Sequence, residues 1–399
     1  LFFMKKIKNF HIIAMAALGP GFSGGDRIFL ELAKRWQRKF PIWIYVWEEG
    51  RQMCRRQTLN PSKNLKFVVW KMGDWCKSGF YVCYLARIIK SVIEAFRLEL
   101  KNEPSTYVYS ASDFWMDALP GWILKLRFPK ITWVGTFYLA APSPFKGFKE
   151  VGEFRLPTIK SIFYWLQQQP IYLLIRIFSD KVFVTSDPDA KRFPSHHKKG
   201  RVIVARGGVN VPKRIKKMKK VYEGVFLGRL HPQKGVVELV DIWRMVVDKK
   251  PRARLVMIGD GPLMSEVKEK IVKNGLEKNI TLAGYLPDGE KKYSYFQKSK
   301  IFMHSAVYDS GGMSCAEGMA WGMPGVSFDL EALKTYYPKG VLKAPINDLN
   351  AFARLVLKLL EDSALYNETT KNAVALVKEY WDWDRRAEDI LVQIKETRG

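Results

Sequence analysis

The chain has 399 residues, enough for two or three domains, and its 47% apolar and 26% charged content is that of a chain able to bury large cores rather than a disordered one. Four cysteines (Cys54, Cys76, Cys83, Cys315) with no CxxC spacing exclude a disulfide scaffold, a zinc ribbon and a dithiol redox motif. Charge is the outlier: 66 basic against 39 acidic residues give a net +27, and residues 1–205 hold 33 of the basic but only 15 of the acidic ones. Nucleic acid, an anionic membrane surface or a phosphorylated substrate would each suit such a surplus.

The chain opens on Leu1, with Met4 as a candidate start. Lys5, Lys6 and Lys8 followed by the apolar run 12–18 resemble a short signal peptide. That run leads directly into Gly19-Pro20-Gly21-Phe22-Ser23-Gly24-Gly25, a strand-to-helix turn and not a cleavage site, so a first strand is predicted over 10–17. A helix follows over 26–39, with Ile28, Leu32, Ala33 and Trp36 at helical spacing. Further strands are predicted over 42–46, 65–69, 107–109, 131–135, 181–185 and 202–205. The segment 212–220, with six basic residues in nine and a proline, reads as an inter-domain linker.

Beyond the linker the alternation resumes. Strands are predicted over 224–228, 254–258, 280–283, 301–304 and 325–328, with helices over 235–247 and 263–273. A strand–turn–helix unit covers 308–321, and the amphipathic tail from Asp382 (Trp383, Ile390, Leu391, Ile394) is expected to return to the first domain. The fold class is therefore α/β, with two Rossmann-like doubly wound domains facing a cleft. The expected boundaries are 1–205, a linker 206–221, 222–376, and the returning helix 377–399. No apolar run is long enough to span a bilayer. Two aromatic, basic and apolar stretches, 80–98 and 159–178, could either cover the first sheet or lie in a bilayer interface.

Ligands of doubly wound sheets bind beyond the carboxyl ends of the strands. Two loops there carry chemistry. In Gly228-Arg229-Leu230-His231-Pro232-Gln233-Lys234-Gly235 a guanidinium and an ammonium stand five residues apart across one turn, a pair suited to a diphosphate. In the stretch from Tyr308 to Gly318, Asp309 and Glu317 flank a Gly-rich turn. There the N–H groups of Gly311, Gly312 and Met313 are expected to face an anion, while the carboxylates take hydroxyls. Asp187-Pro188-Asp189 and Asp382-Trp383-Asp384 match a D-x-D metal signature but fall where helix starts are predicted, so capping is the preferred role and no metal site is expected. No G-x-S-x-G elbow or P-loop is present.

These marks, with Gly259-Asp260-Gly261-Pro262, Gly322-Met323-Pro324, the Gly207-Gly208-Val209-Asn210 stretch and the Trp383 helix, make the chain resemble a family 4 glycosyltransferase of the GT-B fold. The resemblance covers nearly the whole chain and is most specific over 224–328. It implies a retaining, metal-independent sugar transferase in which Arg229 and Lys234 hold the donor diphosphate, Glu317 the ribose and Asp309 the transferred sugar. By the same resemblance Gly25, Gly228, Gly259, Gly311, Gly312 and Met313 line the donor, and Ser23, Gly24, Phe137 and Tyr138 stand on the acceptor side. Asp309 replaces the usual Glu. Members often carry a first-domain His where this chain reads Thr136-Phe137-Tyr138-Leu139; its histidines are His11, His196, His197, His231 and His304. The implied partners are a nucleotide sugar and a glycan or lipid-linked acceptor, with an anionic membrane surface and no specific nucleic acid. No cofactor is expected, and the expected place is the cytoplasm, at or near the membrane face. The alternatives are a nucleotide-sugar epimerase and a non-catalytic GT-B protein that binds membrane or nucleic acid.

Overall fold

A computed structural model describes residues 3–4, 6–17, 23–145, 156–216 and 218–397. The chain forms two compact units. The first comprises Leu1–Ala141, Thr158–Gly207 and Asp384–Gly399, and the second Pro142–Pro157 and Gly208–Trp383.

The first unit is built on a seven-stranded sheet. In spatial order its strands are Leu65–Val69, Ile42–Val46, Asn9–Ile13, Thr106–Ser110, Thr132–Phe137, Lys181–Val184 and Val202–Val204, all parallel. Its central strands are buried at nearly every position, as a sheet covered on both faces requires. Helix Gly24–Trp36 starts on a reciprocal cap: Asp26 N–H donates to Ser23 Oγ at 3.1 Å, and Ser23 N–H donates to Asp26 Oδ2 at 2.8 Å. The first strand ends at Ile13 rather than at the expected residue 17. Just beyond it, Asp117 Oδ1 takes the N–H groups of Met15 (2.6 Å) and Ala16 (3.0 Å), turning the chain out of the sheet.

Helix Trp383–Lys395 packs on this unit as the tail pattern implies. Trp36 Nε1 donates to Ala387 O at 2.9 Å, Arg35 pairs with Asp384 at 2.6 Å, and Lys181 Nζ donates to Gln393 O at 3.0 Å. Ala387, Ile390, Leu391 and Ile394 are buried.

The second unit carries a six-stranded parallel sheet in the order Ile280–Gly284, Leu255–Ile258, Tyr222–Leu227, Ser299–His304, Gly325–Phe328, Val341–Ala344. Its core is centred on helix Val236–Lys249, whose Trp243 is fully buried with Leu239, Val240 and Ile242. The last strand and the helices Leu349–Glu361 and Ser363–Tyr380 extend the unit beyond the elements predicted from sequence. In each sheet the strand order reverses beside the first strand of the unit. That reversal is where a doubly wound sheet opens a crevice at its carboxyl edge. Among the described residues no helix is long and apolar enough to cross a membrane.

Candidate active site

In the second unit the reversal lies between Tyr222–Leu227 and Ser299–His304. The loops leaving these two strands carry Arg229 and Lys234 on one side and Asp309 on the other. They are stitched together. Val307 N–H donates to Gln233 O at 3.0 Å, Tyr308 N–H to the same oxygen at 3.3 Å, and Ser305 Oγ to Lys234 O at 2.9 Å. Gly235 closes the first loop at φ +58°, and a Cβ there would lie 2.1 Å from Ser305 O. Only glycine allows both the left-handed turn and that approach.

The outcome is a direct pair: Lys234 Nζ lies 2.5 Å from Asp309 Oδ2. Asp309 Oδ1 accepts the N–H groups of Gly311 (3.3 Å) and Gly312 (3.2 Å). These two donors were expected to face an external anion; in this state they hold the Asp309 carboxylate. Burial works against the Asp309 charge, but the Lys234 ammonium and its hydrogen bond outweigh it and keep the carboxyl well below the usual carboxylate range. His304, at the end of its strand, brings Nε2 to 3.5 Å from Asp309 Oδ2. Burial pushes this imidazole down to about 4, so the ring is neutral at physiological pH.

Glu317 lies on helix Met313–Ala320, which starts immediately after the Gly-rich turn. Its Oε2 is 2.7 Å from Lys292 Nζ, and the same ammonium contacts Asp288. Lys292 is almost wholly buried. Sequence reasoning missed it: in the Lys291-Lys292 pair nothing local marks which lysine turns inward. His304 was also missed as a site residue, although its place at the carboxyl end of a strand was a usable signal. Arg229 is exposed and has no ion-pair partner among the described residues. The site thus holds one available guanidinium, one ammonium neutralised by a carboxylate, and a second carboxylate neutralised by a buried lysine. Cations able to bind phosphate and carboxylates able to accept from hydroxyls thus stand on the two stitched loops and on the helix that follows them. Among the described residues no group of His, Cys, Asp and Glu is arranged to hold a metal ion.

Several glycines of the motif have structural duties. A Cβ at Gly259 (φ +146°) would fall 1.8 Å from Gly228 O, so Gly259 lets the two strand-end loops touch. Leu230 N–H donates to Asp260 O at 3.0 Å, and Leu263 N–H to Leu230 O at 3.0 Å, completing that seam. Gly228 lies against the Phe226 ring. Met313 opens the helix that carries Glu317.

The first-unit residues are arranged less as expected. Ser23 caps the first helix and Gly24 begins it. Gly25 meets the Tyr138 ring, which a Cβ at that position would approach to 2.9 Å. The strand expected to end at 135 continues to Phe137, whose ring is buried against Tyr172 and Phe193 at centroid distances of 5.4 and 5.6 Å. Tyr138 is also largely buried, its hydroxyl 2.6 Å from that of Tyr109. The turn residues Gly19, Pro20, Gly21 and Phe22 lie outside the described residues, as does Lys217 of the basic segment.

Residues 210–375 match the family model described as glycosyl transferases group 1. A poly(glycerol-phosphate) alpha-glucosyltransferase from Bacillus subtilis (strain 168) is 25% identical over 165 residues, covering 40% of this chain and 24% of that protein. O-antigen chain mannosyltransferase B from Escherichia coli is 23% identical over 174 residues, 43% of this chain and 45% of that protein. The chain spans less than half the length of either relative. Solved structures align over nearly its full length. HepE from Anabaena, in complex with UDP and glucose, has a TM-score of 0.71 at 14% identity and covers 98% of this chain and 99% of that one. A TarM variant from S. aureus, in complex with fondaparinux, alpha-GlcNAc-glycerol and UDP, has a TM-score of 0.72 at 12% identity and covers 96% of this chain and 100% of that one. At such identities the likeness establishes the fold, and it is the two-sheet GT-B architecture that the resemblance in sequence implies.

Proposed function

We propose that this protein is a retaining, metal-independent glycosyltransferase. It moves a sugar from a nucleotide-sugar donor to a glycan or lipid-linked acceptor in the synthesis of cell-surface polysaccharide or glycolipid. The observation that carries this reading is the meeting of Lys234 and Asp309 on two stitched loops at the strand reversal of the second sheet, with Arg229 in the first of these loops and Glu317 on the helix that follows the second. The UDP bound in the HepE and TarM structures, and the sugar-transferring relatives, support a uridine diphosphate sugar as the first donor to test.

In this reading Arg229 and Lys234 hold the diphosphate, Glu317 and Lys292 shape the ribose side, and Asp309 accepts from hydroxyls of the transferred sugar. Donor binding makes Lys234 share its charge between Asp309 and the phosphate. As the bond from the anomeric carbon to the phosphate oxygen breaks, its electron pair stays on the diphosphate, where the two cations neutralise it. The acceptor hydroxyl bonds to the same face of the anomeric carbon, and its proton passes to the departing phosphate oxygen. No enzyme nucleophile enters this balance.

The test is nucleoside diphosphate release from UDP-glucose, UDP-N-acetylglucosamine and GDP-mannose, with and without chelator. Release that ignores chelator and disappears in Lys234→Ala supports the proposal. Release that needs a divalent ion overturns the metal-free mechanism. Steeply salt-dependent DNA binding without turnover would instead favour a non-catalytic protein.

A further inference from the structure

Helix Phe80–Arg97 carries apolar residues on both its sides. The side it turns inward carries Cys83, Arg87, Ser91 and Ala95 at four-residue steps, flanked by Tyr84, Ile88 and Val92, which pack half-buried on the core. Arg87 is accommodated there by donating to Met15 O and lying 4.4 Å over the Trp47 ring. The side it exposes carries Tyr81, Leu85, Ile89, Ile93 and Phe96, with Tyr81 at 72% and Leu85 at 57% exposure. Helix Ile159–Phe178 repeats the arrangement: Gln168, Ile171 and Ile175 point inward, while Ile159, Phe163, Leu166, Leu173 and Ile177 stand out.

The two helices are joined by Tyr84, whose hydroxyl donates to Gln167 at 3.3 Å. A disulfide between Cys76 and Cys83 ties the exposed Trp75 to the start of the first helix. A cover for the sheet would need only the inward sides. An outward apolar face of this extent marks an interaction surface.

We infer that this face of the first unit docks on an anionic lipid bilayer. Charge selects that occupant. Leaving aside the inward Arg87, segments 71–101 and 156–178 together hold seven basic and three acidic residues, and the second contains no acidic residue at all. A second copy would set positive face against positive face, whereas an anionic leaflet attracts each nearby Lys or Arg. Trp75, Phe80 and Tyr81 supply the aromatic edge that favours the headgroup region. The inference does not rest on sugar transfer, because vesicle binding is read without donor.

The test is flotation of the full chain with vesicles of phosphatidylcholine alone and with added phosphatidylglycerol, at low and high salt. The expected result is binding to the phosphatidylglycerol vesicles, weakened at least several-fold by salt. Two separate double variants, L85S/I89S and L166S/I177S, should each lose about ten-fold in partitioning while keeping the wild-type melting temperature. Absence of vesicle binding, equal binding to neutral vesicles at all salts, or unchanged flotation of both variants overturns it. So does a dimer in sedimentation that L85S/I89S converts to monomer, which would assign the face to a second copy.

Discussion

Lys234 and Asp309 are 75 residues apart in sequence, yet the ammonium and the carboxylate meet at 2.5 Å where two neighbouring strands end. The pair makes Lys234 a structural group as well as a phosphate ligand, and that separates it from Arg229.

The separation is measurable. Arg229→Ala removes an exposed side chain and should change stability by no more than about 0.5 kcal/mol. Turnover should nevertheless fall about 100-fold, as for loss of one charge-stabilising donor. Lys234→Met should lose turnover and also about 3 kcal/mol of stability, because it strands a buried carboxylate. Urea unfolding beside donor turnover checks both, and equal stability losses in the two variants would contradict the assignment.

The same pair sets an acid dependence. The Asp309 carboxyl titrates below its unfolded value, so its stabilisation is complete above about pH 4 and fades as pH falls through that value toward the native pKa. Asp309→Asn should flatten this part of the stability profile. An unchanged slope between wild type and variant in acid-range urea titrations would contradict the pairing.

Asp117 has the opposite sign. Burial raises its carboxyl to about 7, even though it accepts from Ser112, Ala16 and Met15. The native state holds this proton more tightly than the unfolded chain does, so the Asp117 contribution is complete below about pH 4 and is lost as pH rises through about 7. Asp117→Asn keeps an oxygen for the Met15 and Ala16 N–H groups and should remove that decline. Melting temperatures of the two proteins across pH 5 to 8 give the comparison.

Lys292 lies between Glu317 and Asp288, nearly excluded from water. Lys292→Met leaves two carboxylates facing each other and should cost about 3 to 5 kcal/mol. The double variant Lys292→Met with Glu317→Gln should recover part of that loss, and a double-mutant cycle in urea measures how much. Strict additivity of the two substitutions would show that the contact carries no coupling.

Gly235→Ala places a Cβ against Ser305 O in a left-handed turn, at a cost of about 1 to 3 kcal/mol. If the turn is what presents Lys234, donor affinity should fall with it. A variant that melts earlier but binds donor normally would uncouple the two.

The amino-acid order by itself determined the strand–helix alternation, the strands at Ile42–Val46, Leu65–Val69 and Gly325–Phe328, and the placing of Arg229, Lys234 and Asp309 in loops that follow strands, with Glu317 on the helix after the last of them. Those features are legible because hydrophobic period and turn chemistry act over a few residues. Tertiary structure alone decided that Lys234 pairs with Asp309, that Lys292 and not Lys291 reaches Glu317, and that Phe137 turns into the core. It also decided which side of helix Phe80–Arg97 faces out, since both sides carry residues able to pack. The physical reason is common to all four: partner and direction are set by neighbours distant along the chain, through burial and charge that no local window contains.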